Sequence, residues 1–319
     1  MPKKQRKFVD DGWAVWVDGD DTSTVYLNDW INPKGKNYID VSVRIRGMKD
    51  SSALYVYVPF AVDHDEIQDV SLSFDNRRIL QAIFNSTCIV DYKKNEYTSE
   101  MAYNGKTIDI LHISAVGYEA KPLSKGTLIT IDFKEIQPFI DNDEAYIIWR
   151  MPHKTLDNVF KVRVDVGSAM NRFWGLVTSP IVSEKYSYSV RINEARLLPE
   201  EITRISEFRR QKLKKAVILI SIDEEYELND AGCYRIRRLE EELYRDFLPE
   251  KYDPEGVITY QWNQNHDYDL RGRFNFYNSI SRNIVSHGSI ILYVILFIII
   301  GVAGIYIDRA IIYLLDLLF

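Results

Sequence analysis

From Asn283 to Ile307 the chain carries no Asp, Glu, Lys or Arg, and Ile290 to Ile307 is almost wholly apolar. As a helix rising 1.5 Å per residue, that run spans about 27 Å, close to the hydrocarbon thickness of a bilayer. Leu and β-branched residues cover every face, so there is no polar stripe of the kind that marks a surface helix of a soluble core. The run is read as a membrane helix. Asp308 and Arg309 follow it, then a second apolar run, Ala310 to Phe319, interrupted by Asp316. That second run either continues the helix or lies back in the interface.

Everything before this helix is its cargo or its control. Met1 to Lys7 is basic, but no apolar run follows, so it is not a signal peptide. Nearly all of the 319 residues therefore precede the first membrane signal. The expected topology is a single pass through the inner (plasma) membrane, with the N-terminal bulk in the cytoplasm. Arg271, Arg273 and Arg282, just before the span, fit the cytoplasmic side. A net charge of −6 argues against a broad nucleic-acid footprint. Two cysteines, Cys88 and Cys233, make no disulfide framework and are read as reduced.

Residues 1–196 read as a cytosolic β-rich domain. Tyr38 to Arg46 alternates without error, with Ile39, Val41, Val43 and Ile45 on one face and Asp40, Ser42, Arg44 and Arg46 on the other. Period two marks a half-buried strand. The signal returns at Val70 to Phe74, Ile129 to Phe133, Phe160 to Val166 and Tyr186 to Ile192. Leu54 to Phe60 and Ala145 to Arg150 are continuous apolar runs and read as central strands. Asn104-Gly105 and the stretch from Asn32 to Gly35 are turn signals. Such a series predicts an antiparallel sandwich or barrel.

Residues 197–262 read as a small α/β unit for coupling or oligomerisation. Pro199, Glu200 and Glu201 start a helix that Arg209, Arg210, Lys212, Lys214 and Lys215 close, each charge suiting its end of the helix dipole. Ala216 to Ile222 reads as a buried strand and Val257 to Trp262 as another. A second helix is expected over 231–247, with Ile236, Leu239, Leu243 and Phe247 on one face. Residues 263–288, polar and aromatic, form a juxtamembrane segment suited to the headgroup level. Residues 289–319 are the transmembrane helix and its short tail.

No phosphate-cradling glycine loop, nucleophile elbow, zinc-protease motif or paired C-x-x-C occurs, so no enzyme, cofactor or metal is expected. His64 between Asp63 and Asp65 matches no ligand spacing and reads as a solvated turn. Asp18 to Asp21 lacks the rest of a calcium loop and reads as a turn between strands. The basic cluster from Arg209 to Lys215, with Arg235, Arg237 and Arg238 on the next helix, is a candidate for contact with an anionic ligand, a nucleotide or short oligonucleotide, since Arg and Lys recognise phosphate; Arg209, Arg210, Arg237 and Arg238 are its foremost members. In the terminal helix Gly301, Gly304 and Asp308 share a face, and small residues let helices approach closely. Asp308, Arg309 and Asp316 are ionisable residues in or beside a membrane segment, where each is costly and therefore suggests function. One span cannot line a pore, but several chains together can, with rings of Asp308 or Asp316 facing water.

The run from Ile290 to Phe319, carried by a cytosolic domain of alternating strands without enzymatic motifs, resembles the membrane effectors of bacterial anti-phage defence. The nucleotidyltransferase-linked, Hailong-like channel effectors are the type in view. The resemblance is one of architecture and transfers no ligand site. It implies that the cytosolic domain senses a nucleotide-derived signal, supplied by a partner nucleotidyltransferase. It also implies that a homo-oligomer, with four copies as a working number, opens the membrane. A protein of a different class has the same outline: a tail-anchored scaffold whose β domain binds a protein partner.

Overall fold

The computed structural model describes residues 12–19, 23–32, 36–84, 87–91, 94–153, 181–205, 208, 213–228, 232–248, 252–265, 273–285 and 287–318. The chain opens with β1 (Ala14–Asp18), β2 (Thr24–Ile31), β3 (Asn37–Arg46) and β4 (Ala53–Val58). A two-residue β5 (Gln68–Asp69) leads to α1 (Arg77–Phe84). Then come β6 (Cys88–Asp91), β7 (Thr98–Tyr103), β8 (Lys106–Leu111) and α2 (Ile113–Val116). β9 (Glu119–Pro122), β10 (Thr127–Asp132) and β11 (Glu144–His153) follow. β12 (Ile181–Ile192) precedes α3 (Glu200–Thr203), β13 (Lys215–Asp223), β14 (Tyr226–Leu228) and β15 (Arg235–Arg238). The last elements are α4 (Glu241–Tyr244), β16 (Val257–Asn265), β17 (Phe274–Val285) and α5 (His287–Leu318).

The protein is mainly β, with an apolar helix at the end of the described chain. A four-stranded antiparallel sheet runs in the order β1-β4-β10-β9. A ten-stranded sheet runs β15-β16-β13-β2-β3-β11-β8-β7-β6, with β5 added beside β11. β4 has partners on both sides, and β11 lies between β3 and β8, so the two continuous apolar runs are central strands as expected. Two pairings depart from the antiparallel expectation: β13 with β2 and β11 with β8 are parallel.

Alternation explains how the sheets close. Val25 and Leu27 of β2, Val41, Val43 and Ile45 of β3, and Ile147 and Trp149 of β11 are buried on one face of the large sheet. Val15, Leu54, Val56, Ile129 and Ile131 are buried on one face of the small sheet. The outer face of the small sheet has its own cover, because Ala14, Trp16, Tyr57 and Leu128 pack with Ile202 and Phe208. The two remaining apolar faces close on each other as a sandwich. Each large side chain buried there contributes about 1.5–3 kcal/mol relative to exposure. The β7–β8 hairpin turns through Asn104 and Gly105, with φ of 50° and 73°, the left-handed pair that a two-residue hairpin loop requires.

Several expectations are corrected. The α/β unit of 197–262 does not stand apart: β13, β15 and β16 extend the same sheet as β2 and β3. The compact units are instead 1–160 with 188–224 and 230–278, and, separately, 161–187 with 225–229 and 279–319. The expected helix over 231–247 is strand β15 followed by the single turn α4. Gly232 sits at φ 70°, incompatible with a right-handed helix start, and β15 then gains a full antiparallel ladder on β16. Ile236, expected on the apolar face, is 50% exposed. Val70 to Phe74 is no strand, since Ser71–Asp75 is a 3₁₀ turn that buries Phe74 and exposes Leu72. Part of the segment expected at the headgroups is β17, whose Phe274 and Phe276 are buried while Tyr277 is exposed, a period of two. The expected strand at Phe160 to Val166 lies outside the described residues, as do residues 33–35 and 20–22 of two expected turns.

In the second unit, β14 pairs antiparallel with β17, with Tyr226 opposite Arg282. Arg282 ion-pairs with Glu225, donates to the Tyr226 hydroxyl at 3.1 Å and lies 5.1 Å over its ring. Residue 286 alone separates β17 from α5, a helix of 32 residues.

Candidate functional site

The outer face of the large sheet is not a flat wet surface. It holds a cavity of about 400 Å³. The register brings its floor together from six strands. Tyr26 and Asn28 of β2 stand opposite Ser42 and Asp40 of β3, and these stand opposite Ile148 and Arg150 of β11. On the other side, Val217 and Leu219 of β13 are level with Tyr26 and Asn28, and Asn263 and Gln261 of β16 continue the rows. Arg235 of β15 stands opposite Gln261, and Arg237 opposite Thr259.

Two short helical pieces make the walls. α1 starts where the Asn76 side-chain oxygen accepts from the backbone N–H groups of Arg78 and Ile79, satisfying donors left open at a helix start. It buries Ile79 and Leu80 and presents Ala82, Ile83 and Phe84 to the cavity. Leu239, Tyr244 and Phe247, in and around α4, line the other side. Arg237 clasps the two pieces: one guanidinium nitrogen donates to the Ala82 carbonyl at 3.1 Å, another to Glu240 at 3.1 Å, and the group lies 5.7 Å over the Tyr244 ring.

Beneath the cavity is a fully enclosed ion pair. Arg150 donates to Asp40 from Nε at 2.5 Å and from Nη2 at 2.8 Å. Its Nη1 donates to the Phe247 carbonyl at 2.6 Å, and Trp30 Nε1 donates to Asp40 at 2.7 Å. Asp40 and Arg150 are each 3% exposed. A bidentate pair with its remaining donors satisfied is the form in which a charge tolerates such burial. It also ties α4's following turn to the sheet, with Trp30 packed against Tyr244, Phe247 and Tyr252.

Four cations border the cavity. Arg44 ion-pairs with Glu144 and lies 5.7 Å over the Tyr103 ring. Arg237 is engaged by Glu240. Lys215 and Arg235, both half-buried, have no carboxylate within ion-pair distance among the described residues. The aromatic part of the wall is a cluster in which Phe84 lies 5.6 Å from Tyr103 and 5.0 Å from Tyr146, with Tyr26 6.3 Å from Tyr146. Burial raises the Tyr26 phenol above its ordinary value, against the opposing pull of Arg44. Burial likewise raises Tyr244. Two further buried polar clusters lie away from this cavity. His153 meets Asp29 at 2.8 Å, and His112 is held between Ser71 and Ser99 at 2.8 Å each.

Of the residues singled out in the sequence, Arg237 lines the cavity. Arg238, one residue on along the strand, points to the opposite side and meets Glu224 at 3.5 Å. Arg209 and Arg210 lie outside the described residues. Lys215 and Arg235, members of the basic cluster read in the sequence as a candidate anion contact, line the cavity too, whereas Asp40, Arg44 and Arg150 were not anticipated. Asp40, Ser42 and Arg44 read as a solvent face, and Lys215 as the end of a helix. The available signal was the aromatic content of the matching positions on β2 and β11, which is excessive for a wet face. His64 is an exposed 3₁₀-turn residue stacked on Tyr118 at 4.4 Å.

Gly301, Gly304, Asp308 and Arg309 all lie on α5, exposed, and a Cβ added at either glycine would meet no atom of the chain within 4 Å. Asp316 lies on the same helix, which runs unbroken to Leu318, so residues 310–318 continue it rather than fold back. The segment Tyr293–Leu315, 23 residues without a buried residue in its most apolar stretch, is long and apolar enough to cross a membrane.

No family model matches the chain, and no curated protein matches it. Among solved structures it aligns with the Fcho1 Mu homology domain of Danio rerio with bound Eps15 peptide, at 9% identity over 85% of this chain and 80% of that one. The TM-score is 0.14, which carries no argument about fold or partner.

Proposed function

We propose that this chain is a homo-oligomeric membrane effector whose α5 helices together form a gated ion pore under the control of the β-rich body, acting in phage defence. The observation that carries this reading is a helix of 32 residues whose apolar 23-residue segment is left unburied by the described residues. Such a surface needs lipid on part of its circumference, and Gly301 and Gly304 leave room for a close helix neighbour on the rest. Asp308 and Asp316 then set cation preference where the bundle holds water. The body lies on the cytoplasmic side of the inner membrane and receives the signal of a partner nucleotidyltransferase.

The test is membrane potential and growth in cells expressing the full chain or a version cut after Gly288. Depolarisation by the full chain alone supports the pore. Replacing α5 by an unrelated poly-Leu span separates it from the scaffold reading: a tether survives that exchange and a pore does not.

A further inference from the structure

We infer that the cavity on the large sheet binds one nucleotide unit, its phosphate held by Lys215 and Arg235 and its base received by the aromatic wall of Tyr26, Phe84 and Tyr103. This rests on the ligand-controlled reading above and assigns the ligand class and the residues that hold it.

Charge selects among the four cations. Arg44 and Arg237 are already neutralised, by Glu144 and Glu240. Lys215 and Arg235 carry their charge in the wall of a concave site with no carboxylate within ion-pair distance among the described residues, the Asp40 carboxylate of the lining being held by Arg150. A half-buried cation without a counter-charge is unfavourable until an anion arrives, and a phosphate accepts from several donors at once. Lys215 is on β13 and Arg235 on β15, with β16 between them. Lys215 stands opposite Asn265 and Arg235 opposite Gln261, so the two are four residues apart along the strands as well as two spacings across. That is roughly 16 Å between backbones, a gap that two long side chains extended toward each other span around one phosphate.

The other half of the cavity is flat-faced. Phe84 and Tyr103 are 5.6 Å apart, and the Arg44 guanidinium lies 5.7 Å from the Tyr103 ring. Rings and guanidinium planes are the surfaces on which nucleobases stack. On β16, between the strands of the two cations, the side-chain amides of Gln261 and Asn263 present donors and acceptors to the phosphate or the sugar. A volume of about 400 Å³ holds one such unit rather than a chain of them. A free nucleotide and the terminal unit of a short oligonucleotide present the same chemistry.

The experiment uses full-length protein in nanodiscs, with tryptophan fluorescence as the readout because Trp30 borders the cavity. The probes are the four nucleoside 5′-monophosphates, their nucleosides, inorganic phosphate and a 5′-phosphorylated trinucleotide. At least one monophosphate is expected to bind about tenfold more tightly than its nucleoside or phosphate alone, since only it engages both halves. Lys215→Gln and Arg235→Gln are each expected to weaken it about tenfold, with unchanged thermal unfolding. Arg238→Gln, on the far side of β15, is expected to leave it unaltered. Binding of the trinucleotide as tight as the monophosphate assigns the site to an oligonucleotide end, and its exclusion assigns the site to a free nucleotide. The inference is overturned if no monophosphate exceeds inorganic phosphate, if both glutamine variants bind like wild type, or if Arg238→Gln loses as much as they do. Depolarisation is not a readout here, so a failed pore and a failed ligand site are told apart.

Discussion

Arg150 grips Asp40 through two hydrogen bonds, 2.5 Å and 2.8 Å long, directly under the cavity that the same strands line. The pair sits on neighbouring strands in register, so each partner is held in place by the sheet before the charges meet. Removing Arg150 alone leaves a buried carboxylate with only Trp30 to satisfy it. Arg150→Met is therefore expected to cost about 3–5 kcal/mol, and the double variant Asp40→Leu, Arg150→Met to recover much of it. Urea unfolding followed by tryptophan fluorescence measures both; a single variant as stable as wild type contradicts the assignment.

The Arg237 clasp joins β15 to α1 through the Ala82 carbonyl. Arg237→Ala is expected to lower stability by about 1–2 kcal/mol and to raise amide exchange across Arg77–Phe84 while leaving β3 protected. Exchange rates that rise equally in both elements would show that the clasp is not local.

Alkaline pH should destabilise the β body. Tyr26, Tyr146, Tyr188, Tyr244 and Tyr252 all have phenols raised above 10.0, in each case with burial as the largest cause. A group raised in the folded state contributes stability that is fully present below its unfolded value and is lost as pH rises through the folded one. Stability should hold up to pH about 10 and fall above it, with tyrosinate absorbance appearing together with unfolding rather than before it. Tyr146→Phe should flatten that decline.

On α5, Gly304→Leu meets nothing within the chain. The body's unfolding temperature should stay unchanged while chemical cross-linking of neighbouring copies in membranes falls. Retained cross-linking would remove this face from the helix–helix contact.

The double variant Asp308→Asn, Asp316→Asn should reduce the cation preference of the conductance, read as a shift in reversal potential across a salt gradient. An unchanged potential removes the two carboxylates from the water-filled path.

Much of this architecture was legible in residue order. The error-free alternation of Tyr38 to Arg46 is β3, the apolar runs at Leu54 and Ala145 are central strands, and the uncharged run after Asn283 leads into α5. The candidate site was legible only in part: Lys215, Arg235 and Arg237 stood out as a basic cluster, but the face they border did not. Alternation says that Asp40, Ser42 and Arg44 share a face; it does not say that α1 and α4 cover it. Lys215 and Arg235 border one cavity only because β16 pairs with β13 on one side and β15 on the other, long-range pairings without a local signature. The helix expected over 231–247 had the right period and lost to a ladder: Arg235–Arg238 bonds to β16, and packing overrode propensity.

One residue, 286, lies in the chain between the end of β17 and the start of α5. One residue added there turns every side chain of the helix by about 100° relative to the strand, and four bring it back to within about 40° of its starting azimuth. Insertions at this seam should alter behaviour periodically, with the pitch of an α-helix, rather than in proportion to length.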